Sequence, residues 1–574
     1  AITYAWDQGP HGIGRLSSIT DASGATQYAY DAAGRVIADT RVISGVTLAT
    51  AYAYDTAGRL SRITYPSGRQ VSYAYDGAGR ISGVSLTAGG TTTALASSIT
   101  YSPFGGITGL ALGPASLAYA RTYDLDGRVT SYKLGTITHN LTYDAAGNVT
   151  RLADPAVPAQ DRVFAYDKAD RLLSLTTSPA TLNQGYTYDK VGNRLSRTVN
   201  GVATAYTLST TSNRLSAVGA VTRSYDASGN QLGDGTRAFT YDDRGRLTGA
   251  ATPLGPVTYA LNALGQRVRK TVGTVTTVYA YDLNGHLLGE YDGAGTAIQE
   301  IAWLGDTPIA AMRAGASGTD VFPIWTDHLD TPRLVTNSAG TARWEWPNTD
   351  PFGANLPNDN PAGLGAFQFN LRFPGQLHDP ETGTHYNYFR DYDPGIGRYV
   401  QSDPIGLRGG LNTYGYVEGN SLAFSDFDGL RRGGNGKGGP GGSGSISVGL
   451  GGQFHGGIKG FSGDCGVAIS GGNVCFYCQW CGTVGWGVAY GAGVVVQGST
   501  GWLCSGGQKS LGVFLSGGGG PFGEGNVSLG DDGSPQYGRG LGGAGGGAAG
   551  GASACFTRYW CNQDPPECRP SCAK

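Results

Sequence analysis

Neither sign of charge dominates this chain. Its 41 lysines and arginines stand against 43 aspartates and glutamates, a formal net charge of −2 over 574 residues. That balance gives no bulk pull toward nucleic acid or an anionic membrane, and no nucleic-acid partner is expected. Also missing is any run of 18 or more strongly apolar residues, which argues against a spanning helix. Methionine occurs once, at Met312, and the chain opens at Ala1 inside repeat-like sequence. A fragment or processed form of something longer is therefore expected, and the lack of a signal peptide carries little weight. Cysteine is absent until Cys465, after which all nine occur, and 45 of the 98 glycines fall in the 144 residues beyond Leu430. The two asymmetries divide the chain there.

Before that boundary lies an internal repeat. YAYDAAGRV begins at Tyr28, YAYDTAGRL at Tyr52, YAYDGAGRI at Tyr73, TYDLDGRV at Thr122, TYDAAGNV at Thr142, AYDKADRL at Ala165, TYDKVGNRL at Thr187, SYDASGNQL at Ser224, TYDDRGRL at Thr240 and YAYDLNGHL at Tyr279, usually about 20 residues apart. Residues alternate with a period of two on both sides of each motif, which predicts a strand, a turn and a returning strand. The intervening Asp-x-x-Gly supplies a side-chain acceptor for the turn's amides and a residue free to take positive φ, so the repeated aspartates read as turn residues. One hairpin is marginal alone, so ten or more in series must pair laterally into a long sheet. Proline is sparse inside the strands, as that requires. His139 and His286 have no neighbouring His or Cys at ligand spacing and receive no role.

These repeats resemble YD repeats, and TDHLDTPRLV at Thr326 together with Arg372 to Leu430 is similar to the RHS-repeat-associated core of bacterial polymorphic toxins. The resemblance spans residues 1–430. It implies an all-β fold in which a long curved antiparallel sheet of YD-repeat hairpins forms a full or partial cocoon shell, with a core plug and, here, a small Gly/Cys-rich β tail. Residues 1–325 would be the shell, 326–430 the core with its plug and autocleavage region, 431–444 a Gly-rich linker, and 445–574 a variable C-terminal domain. Shells of the family use more repeat sequence than is present here, so either an upstream part of the sheet is missing or the shell is open.

The resemblance also implies self-cleavage between Leu430 and Arg431, dependent on Asp403 of SDPIGL and Asp426 of SDFDGL. Two carboxylates brought close do not both ionise easily, so one keeps a proton while the other activates water. Sequence does not say which is which, and the other reading is that both aspartates cap turns. The motif departs from the family at Ser421 and Phe427, where proline is usual, and loss of proline removes a backbone restraint. The aromatic residues Tyr386, Tyr388, Phe389, Tyr392, Tyr399, Tyr414 and Tyr416 are expected to pack as the plug. Arg390 and Arg398 are expected to pair with nearby carboxylates in a structural role.

The tail offers less. From Cys465 to Gln508 there are 44 residues without Asp, Glu, Lys, Arg or His, and between Val484 and Val496 bulky residues alternate with small ones. That pattern predicts short antiparallel strands with one bulky and one nearly bare face. Three readings stay open: a small self-contained sheet, a hairpin that enters membranes on release, and a disordered Gly-rich segment. Cys475, Cys478 and Cys481, with Cys555, Cys561, Cys568 and Cys572, could form disulfides or bind metal; the absence of a second C-x-x-C pair favours disulfides, and no metal or cofactor is assigned. His455 is the tail's only histidine, which argues against an enzyme. The function expected is that of a secreted or cell-surface toxin delivered to target cells, a single-turnover aspartic autoprotease whose freed C-terminal domain acts on the target-cell membrane. An immunity protein and a secretion apparatus are the expected partners. The alternatives are an enzymatic C-terminal toxin and an adhesion protein with an uncleaved tail.

Overall fold

The computed structural model describes residues 1–103, 105–153, 161–316 and 318–434, and beyond these the backbone of strands lying between 454 and 561. It consists of two compact units, Ala1–Ser445 and Ile446–Lys574. In the first, 21 strands from Thr3–Trp6 to Val221–Thr222 and a further 13 from Ser224–Tyr225 to Ala342–Glu345 form two antiparallel sheets. Successive strands pair in sequence, as at Val46–Tyr54, Leu60–Thr64, Gln70–Tyr75 and Ile81–Ala88. The hairpin array expected from the repeats is present.

The repeat motif does more than make turns. Asp55 Oδ1 accepts the amides of Ala57 and Arg59, both at 2.9 Å, and Gly58 takes a φ of +81°, a conformation that costs a residue without Cβ nothing. Arg59 Nε donates to Asp55 Oδ2 at 2.7 Å, and its guanidinium lies 4.2 Å from the ring of Tyr75 in the following motif. The Tyr75 hydroxyl then donates to the Leu60 carbonyl at 2.8 Å. Asp31, Arg35 and Tyr54 repeat the set, as do Asp76, Arg80 and Tyr101. Each motif thus fastens its own hairpin to the next. The half-exposed ion pairs contribute only about 0–1 kcal/mol each, so the array depends on their repetition and on the buried faces between them.

The array curls until early strands face late ones. One apolar cluster joins Ile43, Leu48, Ile63 and Val71 to Val278, Leu288, Ile309 and Met312. Polar contacts fix the closure: Tyr65 donates its hydroxyl proton to the Ile301 carbonyl at 2.9 Å, Arg69 meets the buried Glu300 at 2.8 Å, and Arg121 meets Asp330 at 2.7 Å.

After Glu345 the chain leaves the wall and packs against it. Four short strands, Leu377–His378, His385–Asn387, Arg390–Asp393 and Arg398–Tyr399, form a small sheet. Tyr386, Tyr392, Tyr399 and Tyr416 pack with wall residues Tyr279, Tyr281, Trp303 and Trp344, while Tyr388 and Phe389 are half-buried. The wall reaches in to hold this plug. Arg267, fully buried, is sandwiched between Tyr259 and Tyr386 at 3.8 and 4.3 Å and pairs with Asp391 at 2.7 Å and with Asp379.

In the second unit, strand Asn473–Val488 pairs with Gly460–Ser470 on one side and Ala549–Cys561 on the other, within a seven-stranded sheet. Residues 435–444 of the expected linker, the cysteine side chains and the segment from 489 to 505 lie outside the described residues.

Removing Arg267 would leave two buried carboxylates without their guanidinium. Arg267→Ala is expected to destabilise the first unit by about 3–5 kcal/mol in urea unfolding followed by tryptophan fluorescence.

Candidate functional site: a buried carboxylate pair around Leu430

The plug places Asp403, Asp426 and Leu430 together. Asp403 follows strand Arg398–Tyr399, and its Oδ1 accepts the Ile405 amide at 2.9 Å. Asp426 follows Phe424–Ser425, a two-residue strand that pairs with Gly433–Gly434, so the chain loops tightly between them. The loop is wrapped around the Asp426 carboxylate. Its Oδ1 accepts the amides of Gly429, Leu430 and Arg431 at 2.9, 3.1 and 3.2 Å. Gly429 has φ of +75°, and a Cβ there would stand 2.3 Å from the Asn387 carbonyl oxygen, so the loop demands glycine. Asp428, the second acid in the motif, accepts the Leu430 amide at 3.1 Å on Oδ1.

Arg390 bridges the two aspartates. Its Nη2 lies 3.1 Å from Asp403 Oδ2 and 3.5 Å from Asp426 Oδ2, its Nε donates to the Gly429 carbonyl, and its guanidinium stacks 3.7 Å from the Tyr399 ring. Tyr399 donates its hydroxyl proton to Asp426 Oδ2 at 2.7 Å, and Asn387 Nδ2 donates to that hydroxyl oxygen at 2.7 Å and to the Asp426 carbonyl at 2.9 Å. All are buried: Asp426 is 1% exposed, Asp403 6%, Arg390 2% and Leu430 7%. Burial pushes the Asp426 carboxyl up to about 6 in spite of Arg390 and Tyr399, and raises Asp403 as well. The Tyr399 phenol is driven well above its ordinary range by burial and by Asp426, so it remains a donor.

The Leu430 carbonyl comes near Asp403. Both it and Asp403 Oδ2 face Gly409, where a Cβ would stand 2.7 Å from the carbonyl oxygen and 2.1 Å from the carboxylate. Arg390, Gly409, Tyr416, Asp426 and Arg431 also line a cavity of about 300 Å³ shared with wall residues Arg171 and Arg194. That is ample room for water.

The resemblance to the RHS-associated core points to both carboxylates and not to Tyr399 or Asn387 beside them. Arg390 is part of the constellation, through its contact with both aspartates. Arg398 does something else: its Nη2 donates to the Asn213 carbonyl at 2.6 Å and its guanidinium stacks on Tyr414 at 4.7 Å. Tyr399 and Asn387 carried no local signal, because plug aromatics all read alike in sequence. Ser421 is buried and donates to the Pro351 carbonyl at 2.6 Å. His139 stacks on Tyr132 at 5.2 Å, and His286 lies between Asp282 and Asp306 at 2.9 and 3.1 Å, which raises it to about 10 against the opposing effect of burial. Among the described residues no group of three or more His, Cys, Asp or Glu side chains is placed to hold a metal.

Known proteins share this architecture. Residues 156–408 match the teneurin YD-shell family, and residues 12–47 and 54–93 match the RHS repeat family. The repeat array is thus similar to both the YD-shell and the RHS repeat families over parts of residues 12–408. Among its relatives, double-stranded DNA deaminase toxin A of Burkholderia cenocepacia is 29% identical over 346 residues, covering 52% of this chain and 22% of that protein. Toxin protein Tse5 of Pseudomonas aeruginosa is 41% identical over 92 residues, 16% of this chain and 6% of that one. The chain thus spans less than a quarter of the length of these relatives. In solved structures, the TcdB2-TccC3 crystal structure superposes with a TM-score of 0.63 at 20% identity, over 75% of this chain and 26% of that one, a likeness of fold.

Gly409→Ala tests the tightness of the site. The added methyl is expected to force Asp403 and the Leu430 carbonyl apart at a cost of about 1–3 kcal/mol, read from thermal unfolding.

Proposed function

We propose that this chain is part of a bacterial RHS polymorphic toxin, in which the YD-repeat shell and its plug cut the chain after Leu430 and free a C-terminal toxic domain. The observation that carries the reading is the wrapping of the Leu430–Arg431 peptide around a buried, arginine-bridged carboxylate pair. A turn-capping role alone would explain the three amides on Asp426 Oδ1. It would not explain why a second carboxylate, raised by burial, crowds Gly409 together with the carbonyl of the same peptide.

The geometry supports a division of roles that spacing left open. Asp426 receives donors from three amides, Tyr399 and Arg390, which favours its ionised form within the pair. It is the base. Asp403, which shares the space at Gly409 with the Leu430 carbonyl oxygen, holds the proton that polarises it. A water from the adjoining cavity adds to the Leu430 carbonyl carbon, giving one proton to Asp426 while Asp403 protonates the carbonyl oxygen. The gem-diol then collapses: Asp403 recovers a proton from one hydroxyl, Asp426 delivers its proton to the Arg431 nitrogen 3.2 Å away, and the C–N bond breaks. One water is consumed, and a Leu430 carboxyl and an Arg431 amine result. Both carboxylates end as they began. Holding the bond at the pair makes the step intramolecular.

The working pair carries one proton and titrates as a unit. Burial raises both carboxyls, so the proton they share is lost from the pair as pH rises above about 6. Cleavage of full chain made by cell-free translation is expected to peak near pH 5–6 and to slow about ten-fold per pH unit above it. Intact mass and N-terminal sequencing are expected to find a fragment beginning at Arg431, absent from Asp403→Asn and Asp426→Asn. A single intact parent chain at every pH would end this reading and move the uncleaved adhesion protein ahead.

For the released domain, the reading is membrane damage at the target cell. Strand Asn473–Val488 has 16 residues, more than the 9–11 that a tilted strand needs to cross a bilayer, and carries no charged side chain. An immunity protein and a secretion apparatus complete the proposal, with the product secreted or surface-borne. The purified tail is expected to release dye from anionic liposomes. Silence there, with damage to nucleic acid instead, would favour an enzymatic cargo, as the name of the Burkholderia relative does.

A further inference from the structure

Phe427 directly follows Asp426 in the loop that leads to the bond to be cut, and its ring reaches out of the plug to the wall. It meets His286 edge to face, with ring centroids 5.5 Å apart. His286 in turn stacks on Trp303 at 4.6 Å, and Trp303 Nε1 donates to the Leu287 carbonyl at 3.0 Å, so both rings are fixed by the wall strands Leu287–Asp292 and Ala297–Leu304. Asp282 and Asp306 flank the imidazole on opposite nitrogens and keep it cationic at neutral pH, which presents Phe427 with a charged ring. Tyr388 and Phe373 of the plug complete the slot around a cavity of about 40 Å³. The backbone is gripped too: the Phe427 carbonyl oxygen occupies the space a Cβ of Gly375 would need, at 1.8 Å, and the Phe389 amide donates to the Asp428 carbonyl at 3.1 Å.

We infer that Phe427 is a positioning residue for self-cleavage, and that its slot, built from wall and plug together, makes cutting conditional on the wall being seated over the plug. The inference rests on the cleavage reading above. Asp426 and Leu430 flank Phe427 by one and three residues, so the ring sets the direction in which the loop leaves the carboxylate. Neither half of the slot suffices alone. With the wall hairpins at 275–304 unseated, the loop lacks His286 and Trp303 and the peptide is free to drift from the pair. A chain still folding is thereby protected from early release of its cargo.

The test is a rate measurement on full chain pulse-labelled in cell-free translation, with cleavage followed by mass at several pH values. Phe427→Ala and Trp303→Ala are each expected to slow cleavage about 100-fold, the cost of a misplacement of order 1 Å, and Phe427→Leu to stay near the parent. The double variant should be no slower than the slower single, because both changes empty one slot. The pH profile of the residual reaction should keep the parent's midpoint, since the carboxylate pair is untouched. Among the described residues the Phe427 amide donates to nothing, so Phe427→Pro is expected to restore part of the rate in the Trp303→Ala background by fixing φ without the slot. Parental rates in Phe427→Ala, or a shifted pH midpoint, would overturn the inference while leaving self-cleavage intact. A parent that does not cut would instead remove the reading on which the inference stands.

Discussion

The guanidinium of Arg267 reaches from the wall to two carboxylates of the plug, between a wall tyrosine and a plug tyrosine, and the rest of the first unit is arranged so that it can. The residue belongs to a wall strand, Arg267–Val272, and its partners Asp379 and Asp391 belong to the plug. Lys270 on the same strand adds contacts to Asp379 and Glu381 at 3.4 and 3.0 Å. Buried charge of this kind does not stabilise by its own attraction, because desolvation offsets it; it penalises every arrangement in which the partners are apart. The seam therefore acts as a register mark. Other wall groups repeat the device more weakly: Arg237 meets Asp393, Arg197 meets Asp350, Asn148 accepts from Asn420, and Gly229 accepts from Tyr414 at 2.7 Å.

With the plug so placed, the loop from Asp426 to Arg431 has little freedom. Strand Arg390–Asp393 carries Asp391 toward Arg267 and Arg390 toward the carboxylate pair, since successive residues of a strand face opposite ways. The seam and the site are thus two faces of one four-residue strand. That economy explains why the site contains an arginine at all. Two carboxylates raised by burial need a cation to keep one of them ionised, and the strand that seats the plug delivers it.

Legibility from sequence follows the range of the interactions. The hairpins were readable because Asp, Gly and Arg act within four residues of one another, and period-two alternation marks each strand. The second half of the repeat logic was not, because Tyr75 acts on Leu60 and Arg59 on Tyr75 across a neighbouring hairpin. At the site, Asp403 and Asp426 are what the family resemblance implies, and the structure brings them to one guanidinium. Tyr399, Asn387 and Gly409 act through contacts separated by many residues and leave no local trace. Phe427 stood out in sequence only as a missing proline. Its ring contact with His286, 141 positions earlier in the chain, changes that reading from a loss to a substitution of one restraint for another.

Titration separates the wall from the plug. In the wall turns, hydrogen bonds from Arg35 and Arg59 hold Asp31 and Asp55 below the ordinary carboxylate range. Their contribution is present above that range and fades as pH falls through the lowered values. In the plug, burial raises Asp391 and Asp426 to about 6. Their contribution has the opposite sign: it is complete below the unfolded value of about 4 and is lost as pH rises through 6. At neutral pH the wall is at its best and the plug holds charges it would rather shed. The first unit therefore gives up stability at these buried carboxylates, and the wall's repeated turns and the apolar packing of wall and plug supply the surplus that keeps them there.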